Sequence, residues 1–245
     1  FVALHGAFTP MSIEEDFWIF FRSGLWKDGS YGRMNTGSYN DWYENMSGEE
    51  DLRQYKHYKK ELQLLAFNQG KGEKPYVRKD SYHMKFISTL LQVFPDARIV
   101  HLIRDPVANH ASSCSIAYTW ATLIYDLKDI DRLKLGKAVA RYNLIGMRKF
   151  LEFRKVYDAN LAPGERSFFC DVKYEDLVES PLGTMKKIYS HFDMELSRET
   201  VVKVNAYVAE CAKDWKTPNK HSLEDYGFDP KDAVELYKDY TEYFA

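Results

Sequence analysis

Lys79 and His83 combine residue types suited to charge stabilisation and proton transfer. They follow a short strand candidate at residues 76–78, where ligands of α/β proteins commonly bind. A lysine beside a histidine can pair charge stabilisation with a general base. Histidine is the natural base near neutral pH because its unperturbed pKa is about 6.5. The alternative interpretation is that His83 only caps or packs against its own helix.

A second group of suitable residues begins with Arg104, at the end of the most strand-like segment of the chain, residues 98–103. Its planar guanidinium offers five N–H donors and suits a phosphate group. Ser112 lies in the helix predicted to start at Val107, and its hydroxyl can supply a second donor to the same anion. The alternative is a salt bridge from Arg104 to a neighbouring carboxylate, with Ser112 as a small packing residue.

Strands separated by helices must position these residues. The pattern predicts strands at residues 76–78, 98–103 and 167–172. It predicts helices over residues 41–68, 82–93, 107 onward, 133–157, 181–192, 197–212 and 229–243. Such alternation is typical of an α/β fold with a parallel sheet covered by helices on both faces. No linker or repeat divides the 245 residues, so we expect a single domain over residues 1–245.

Composition excludes several classes of protein. With 34 basic and 36 acidic residues the formal net charge is −2, which argues against a nucleic-acid binder. Three cysteines cannot form a disulfide framework, and neither the cysteines nor the histidines show metal-ligand spacing, so no metal is expected. The charge is uneven: residues 53–85 hold nine Lys/Arg and three acids, and residues 221–245 hold seven acids and two lysines. The basic stretch is either a solvated helix face or an anion-binding surface.

Residues 93–106, Val-Phe-Pro-Asp-Ala-Arg-Ile-Val-His-Leu-Ile-Arg-Asp-Pro, resemble the central signature of the sulfotransferase superfamily, and most of all its bacterial-type branch. Three further stretches agree with that family in the same order. Residues 79–83 are similar to a Lys-Ser-Pro-Glu-His segment, residues 172–183 to a Tyr-Glu-Asp-Leu stretch with Pro-Leu-Gly after it, and residues 220–227 to a C-terminal Lys-His and Ser-Leu-Glu-Asp-Phe-Gly segment. The resemblance covers about residues 75–230.

The resemblance implies a P-loop-like α/β fold and a sulfotransferase that uses 3′-phosphoadenosine-5′-phosphosulfate (PAPS) as sulfuryl donor. By position, Arg104 and Ser112 match the pair that binds the 3′-phosphate of the donor. Lys79 matches the lysine near the transferred sulfuryl group, and His83 matches the base that takes the proton of an acceptor hydroxyl or amine. By analogy with phosphoryl transfer, catalysis would consist mainly of positioning and charge stabilisation.

Other positions receive expectations from the same resemblance. Lys220 and His221 match a C-terminal basic loop near the nucleotide. Residues 174–176, Tyr-Glu-Asp, are expected to be structural and to tie a strand to its neighbours. A small-molecule or glycan acceptor is expected near the loop of residues 26–40, where Tyr31, Tyr39 and the following Trp42 can pack against it.

The sequence departs from the family in two places. An acid, Asp80, stands beside Lys79, where it can neutralise the lysine or face away. No strand, Gly-rich loop and helix in succession form a phosphate-binding loop. Phe21-Arg-Ser-Gly24 follows a helical pattern, and residues 70–74 precede a strand. Since the chain begins at Phe1 within an apolar run, we expect that loop to precede it and the fold to be incomplete at its amino terminus.

Two alternatives remain open at this point. The chain can be a sulfotransferase-like scaffold without activity that serves as a subunit of a larger assembly, as the missing loop and the altered residues 79–83 suggest. A nucleotide kinase on a related fold is less favoured, because no GxxxxGK[ST] motif occurs. The sequence leaves the acceptor and the oligomeric state open. An intracellular or organelle-lumen location is the favoured expectation.

Overall fold

The structure is a computed structural model that describes residues 16, 19–20, 37–68, 76–123, 125–214 and 222–245. The helices of these residues are α1 (Gly37–Glu44), α2 (Gly48–Asn68), α3 (Ile87–Val93), α4 (Pro106–Ala121), α5 (Arg132–Asn160), α6 (Tyr174–Glu179), α7 (Pro181–His191), α8 (Arg198–Asp214), α9 (Pro230–Leu236) and α10 (Lys238–Phe244). The strands are β1 (Ile99–Ile103) and β2 (Phe169–Lys173). Short 3-10 helices occupy Ser81–Met84, Leu127–Asp129 and Glu224–Tyr226.

Strands β1 and β2 pair in parallel, and their register runs from Ile99 opposite Phe169 to Ile103 opposite Lys173. The chain crosses from one strand to the other through α4 and α5. The predicted parallel α/β arrangement is therefore confirmed. Because the carboxyl ends of both strands lie at one edge, the residues that follow them, Arg104 and Tyr174, emerge side by side.

The two faces of this sheet are covered differently. On one face His101 is buried against Phe150 of α5 and Phe244 of α10, with ring centroids 4.6 Å and 4.7 Å away. On the other face β2 is covered by Phe192, directly after α7, together with Leu177 of α6 and Ile188 of α7. Val100 and Leu102 of β1, on that same face, each remain 46% exposed. Among the described residues, helices thus flank both faces of β2 and only one face of β1.

The largest core cluster joins the β1 face that carries Ile99 and Ile103 to α2, α3 and α5. Most of its fully buried members near the first 3-10 helix are aromatic, including Tyr55, Tyr82 and Phe86. Since this cluster contains Tyr82, it fixes the 3-10 helix Ser81–Met84, and with it His83, relative to β1. The two groups of candidate residues therefore stand on one packed core.

The predicted strand at residues 76–78 is wrong. These residues form no strand, and Val77 is 95% exposed, so no burial holds them in a sheet. The segment instead meets residue 16, whose backbone N–H donates to the Lys79 carbonyl at 3.3 Å. Lys79 therefore lies in a connecting segment before a 3-10 helix, and not at a strand end.

Three predicted helices are each divided in the structure. The helix expected over residues 82–93 forms the 3-10 helix Ser81–Met84 and then α3, which begins at Ile87. Residues 41–68 were expected as one helix, but α1 already begins at Gly37 and α2 starts afresh at Gly48. The break is fixed at Ser47, whose Oγ accepts from the Glu50 backbone N–H at 3.2 Å and caps α2. The C-terminal helix predicted over residues 229–243 is divided at Tyr237 into α9 and α10.

Candidate active site

Arg104 is presented on the surface at the carboxyl end of β1. Its guanidinium lies over the ring of Tyr174, with Cζ 4.7 Å from the ring centroid, a cation–π arrangement. Arg104 is exposed, and it forms no ion pair with the described residues. The alternative of a salt bridge to a neighbouring carboxylate is thus not realised within that part of the chain. The N–H edges of the guanidinium can meet an external anion.

Helix α4 begins immediately after Arg104 and carries Ser112. Asp105 caps the helix by accepting from the backbone N–H groups of Val107 and Ala108, at 3.0 Å and 3.2 Å, and Pro106 occupies the first turn. These two amide donors are therefore already satisfied by a carboxylate. A phosphate here would depend on side-chain donors, and the half-buried Ser112 lies farther along the same helix.

His83 lies in the 3-10 helix Ser81–Met84 and is held on two sides. Its Nδ1 is 2.9 Å from the hydroxyl of Tyr55 on α2, and its Nε2 is 4.0 Å from Oδ2 of Asp16. The His83 side chain is 15% exposed, whereas Tyr55 is 1% exposed. Burial raises the pKa of Tyr55 well above its usual value, so this phenol stays neutral. The imidazole is therefore fixed in place and still reachable from solvent.

Asp16 is itself anchored by two donors. Tyr58 of α2 donates its hydroxyl to Oδ2 at 2.8 Å, and Arg78 donates to Oδ1 at 3.3 Å. The carboxylate is only 4% exposed. Phe20 stacks between the rings of Tyr58 and Tyr82, at centroid distances of 4.8 Å and 4.4 Å. This aromatic packing surrounds the His83 ring with apolar walls.

Lys79 is exposed and precedes the 3-10 helix that carries His83. The intervening Asp80 caps that helix, since its Oδ1 accepts from the Tyr82 backbone N–H at 2.8 Å. Lys79 and His83 are thus brought together by one short element. Arg104 and Ser112 belong to the separate unit formed by β1 and α4.

The basic stretch of residues 53–85 does not form one uniform surface. Arg53 is engaged by Glu50, and Lys59 donates to the Val93 carbonyl at 3.0 Å. Lys85 is buried beneath Tyr43, where it donates to the Tyr43 carbonyl at 2.5 Å. Burial lowers the pKa of Lys85 to about 8. A solvated helix face therefore describes only some members of this stretch, and its anion-binding role stays a prediction.

Several predicted positions lie outside the described residues: Lys220 and His221, the Phe21-Arg-Ser-Gly24 stretch, residues 70–74 and Tyr31. Within the described part, Tyr39 packs against Trp42 on α1 with centroids 5.3 Å apart, and Trp42 is exposed. No group of three or more His, Cys, Asp or Glu side chains in the described ranges is able to hold a metal ion. None of the helices in those ranges is long and apolar enough to cross a membrane.

The residues that surround His83 were not predicted from the sequence. Asp16, Tyr55 and Tyr58 come from segments 67, 28 and 25 positions away in the chain, so only the tertiary structure joins them. Tyr174 was expected to have a structural role. Its ring packs directly against the guanidinium of Arg104, a contact that was not predicted. The histidine in β1, His101, is satisfied in the core by Asp171 and Tyr240, at 2.9 Å and 2.8 Å.

Comparison with known proteins identifies relatives over much of the chain. Two curated relatives, from Mycobacterium bovis and Mycobacterium tuberculosis, are named omega-hydroxy-beta-dihydromenaquinone-9 sulfotransferase Stf3. Each is 27% identical over 150 residues, which is 61% of this chain and 36% of the relative. The chain thus spans little more than a third of the length of these proteins.

Two solved structures share the fold. Sulfotransferase STF9 from Mycobacterium avium superposes with a TM-score of 0.79 over 99% of this chain and 60% of its own, at 22% identity. Sulfotransferase STF1 from Mycobacterium tuberculosis H37Rv gives a TM-score of 0.74 over 94% and 56%, at 27% identity. The predicted sulfotransferase-type α/β fold is confirmed.

The sequence profile described as the sulfotransferase family matches residues 24–198. This range contains the stretches around His83, Arg104 and Tyr174 on which the resemblance was based, and that resemblance is confirmed. Since the profile covers well over half of its length, the chain belongs to the sulfotransferase family.

Proposed function

We propose that the chain contributes to an enzyme that transfers a sulfuryl group from PAPS to an acceptor hydroxyl or amine. The observation that carries this proposal is Arg104, an exposed arginine supported by Tyr174 at the carboxyl edge of the sheet. It makes no ion pair with the described residues, and Ser112 follows it on α4. An available planar fork fits the 3′-phosphate of the donor nucleotide, and the Ser112 hydroxyl is the proposed second donor.

The chemical step needs a base and a positive charge. His83 accepts the proton of the acceptor, and its fixed ring supports this assignment. Lys79, on the segment leading into the same 3-10 helix, stabilises the charge that develops on the leaving phosphate oxygen. Most of the catalytic effect then comes from orientation of the two substrates and from charge stabilisation.

The acceptor is proposed to approach along α1, where Tyr39 packs against the exposed Trp42. The name of the mycobacterial relatives describes a sulfotransferase for an omega-hydroxylated menaquinone derivative. That relative supports a hydroxyl group on a small molecule as the acceptor class. Aromatic side chains bind apolar molecules and sugar rings alike, so acceptors of both kinds belong in the assay.

Binding of the desulfated nucleotide tests the donor assignment. The protein is titrated calorimetrically with 3′-phosphoadenosine-5′-phosphate and with adenosine 5′-monophosphate, which lacks the 3′-phosphate. Arg104→Ala should weaken binding of the first nucleotide at least tenfold and reduce its advantage over the second, because a charge-assisted contact is lost. Arg98→Ala, at the opposite end of β1, removes the same charge as a control. Equal affinities in the wild type and Arg104→Ala would exclude Arg104 from the nucleotide site.

Turnover tests the catalytic assignment separately. With radiolabelled PAPS and a panel of hydroxyl and amine acceptors, His83→Asn should lower kcat by a factor of about a hundred or more, the range of general-base catalysis. Its affinity for the desulfated nucleotide should remain unchanged. Normal turnover in His83→Asn would remove His83 from the mechanism. Nucleotide binding without turnover of any acceptor in the wild type would instead favour a scaffold role.

A further inference from the structure

The environment of His83 distinguishes its two ring nitrogens. Nδ1 faces the hydroxyl of Tyr55 at 2.9 Å, inside the aromatic core, whereas Nε2 stands 4.0 Å from the carboxylate of Asp16. Tyr55 is almost wholly buried, and the ring of His83 retains some exposure. Nδ1 is therefore engaged by the protein, whereas Nε2 has no hydrogen-bond partner among the described residues.

We propose that Tyr55 and Asp16 are positioning residues for His83: the Tyr55 oxygen accepts the Nδ1–H bond, which leaves the lone pair of Nε2 as the base, and the Asp16 carboxylate balances the charge of the imidazolium that forms. This inference rests on the proposed function for its catalytic consequence. The assignment of the ring protons follows from the proton balance of that function, and it can be measured without turnover.

The proton balance requires this arrangement of Tyr55. When the acceptor attacks, its O–H bond breaks and an Nε2–H bond forms, while the new sulfur–oxygen bond replaces the bond from sulfur to the donor phosphate oxygen. The product imidazolium carries protons on both nitrogens, so Nδ1 must donate throughout. If Tyr55 donated to Nδ1 instead, Nε2 would already carry the proton and could accept none. The same hydrogen bond therefore serves the neutral and the charged ring without any movement.

Asp16 is suited to the second role because its carboxylate is held still by two hydrogen bonds. Tyr58 and Arg78 donate to its two oxygens, and the carboxylate is buried among aromatic rings. At 4.0 Å from Nε2, the Asp16 carboxylate is close enough to attract the positive charge that the ring carries after proton transfer. A carboxylate accepts hydrogen bonds and has no proton to donate, and 4.0 Å exceeds a hydrogen bond, so Asp16 leaves the lone pair of Nε2 in the neutral ring free.

The ring protons can be observed directly by nitrogen NMR. The full chain is labelled with ¹⁵N-histidine, and the His83 signals are assigned by their absence in His83→Asn. At a pH where His83 is neutral, the wild type should show the proton on Nδ1. Tyr55→Phe, which removes only the hydroxyl, should reduce that preference. Tyr240→Phe is the matched control, because Tyr240 bonds to His101 and should alter only the His101 signals.

Kinetics provide the second measurement. Tyr55→Phe and Asp16→Asn should each lower kcat at least tenfold, with KM for PAPS and the affinity for the desulfated nucleotide unchanged. A neutral wild-type ring with its proton on Nε2, or unchanged kcat in both variants, would overturn the inference. Failure of the proposed function has a different signature: wild-type protein that neither binds the nucleotide nor turns over PAPS, whatever tautomer His83 adopts.

Discussion

Arg104 and Tyr174 are joined by a cation–π contact of 4.7 Å, and each is the residue that directly follows a strand of the parallel sheet. The last paired residues of the two strands are Ile103 and Lys173, so the register brings the next residues together. The ring of Tyr174 covers one face of the guanidinium and leaves its N–H edges available. Parallel pairing thus brings Arg104 and Tyr174 together from two distant parts of the sequence.

The first prediction concerns this stacked pair. Tyr174→Leu should weaken binding of 3′-phosphoadenosine-5′-phosphate about two- to fivefold, because loss of a cation–π contact of about 0.5–1 kcal/mol leaves the guanidinium less ordered. Tyr174→Phe keeps the aromatic face and should bind nearly as the wild type does. Calorimetric titration of both variants measures the difference. Equal affinity in Tyr174→Leu and Tyr174→Phe would show that the ring does not support Arg104.

Local sequence signals were sufficient to predict the elements around Arg104, one half of the candidate site. The β-branched run that ends in Arg104, together with Asp105 and Pro106, encodes a strand end and a capped helix start within a few residues. The surroundings of His83 could not be predicted in this way. Tyr55 reaches it from α2 and Asp16 from a segment before α1, contacts that only core packing determines. The strand expected before Lys79 failed for the same reason, since strands require a partner that a local pattern does not reveal.

A buried charge network joins the sheet to the helices that cover it. Arg154 of α5 donates to both oxygens of Asp171 at 2.9 Å and 2.8 Å, and His101 lies 2.9 Å from the same carboxylate. Burial by itself would raise the pKa of Asp171, but the hydrogen bonds from Arg154 and His101 outweigh it and hold this pKa well below its usual value. The folded protein therefore favours the ionised carboxylate.

The second prediction follows from that lowered pKa. Above the pKa of an unfolded aspartate, about 3.9, the network makes its full contribution to the free energy of unfolding. This contribution is lost as the pH falls toward the lower pKa that Asp171 has in the folded protein. Asp171→Asn should cost about 2 kcal/mol in free energy of unfolding at pH 7 and less at pH 3, because Arg154 loses a charged partner. Urea unfolding at both pH values measures this. Asp96→Asn, at an exposed carboxylate, should change neither value; an Asp171→Asn deficit that is independent of pH would contradict the prediction.

The third prediction concerns Asp51 of α2. Burial raises its pKa to about 6 against the opposing charges of Lys149 and Lys85. Its Oδ1 accepts no hydrogen bond within the described part of the chain. An acid whose pKa is raised on folding stabilises the fold when it is protonated. The contribution of Asp51 to the free energy of unfolding is therefore lost as the pH rises from about 4 through 6. Ionised Asp51 therefore lowers the free energy of unfolding at pH 8.

Replacing this carboxyl by an amide removes that cost. Asp51→Asn should raise the free energy of unfolding by about 1–2 kcal/mol at pH 8, and the gain should vanish near pH 4. Chemical denaturation across that range measures the difference. Glu49→Gln, at the exposed carboxylate two positions earlier, is the matched control and should have little effect. A loss of stability in Asp51→Asn at pH 8 would show that attraction to Lys85 outweighs the burial of the charge.

The fourth prediction compares two glycines of the same helix, α5. A Cβ at Gly136 would lie 2.3 Å from the Tyr226 carbonyl oxygen and 2.9 Å from the Tyr226 Cβ, so α5 or the 3-10 helix Glu224–Tyr226 would have to move. A Cβ at Gly146 would meet no atom within 4 Å.

Gly136→Ala should therefore lower the free energy of unfolding by about 2 kcal/mol through overpacking. Gly146→Ala should raise it by about 0.5–1 kcal/mol, because alanine loses less backbone entropy in a helix. Thermal and urea unfolding of the two variants should shift in opposite directions, and a stabilised Gly136→Ala would mean that α5 does not approach Tyr226 closely in solution.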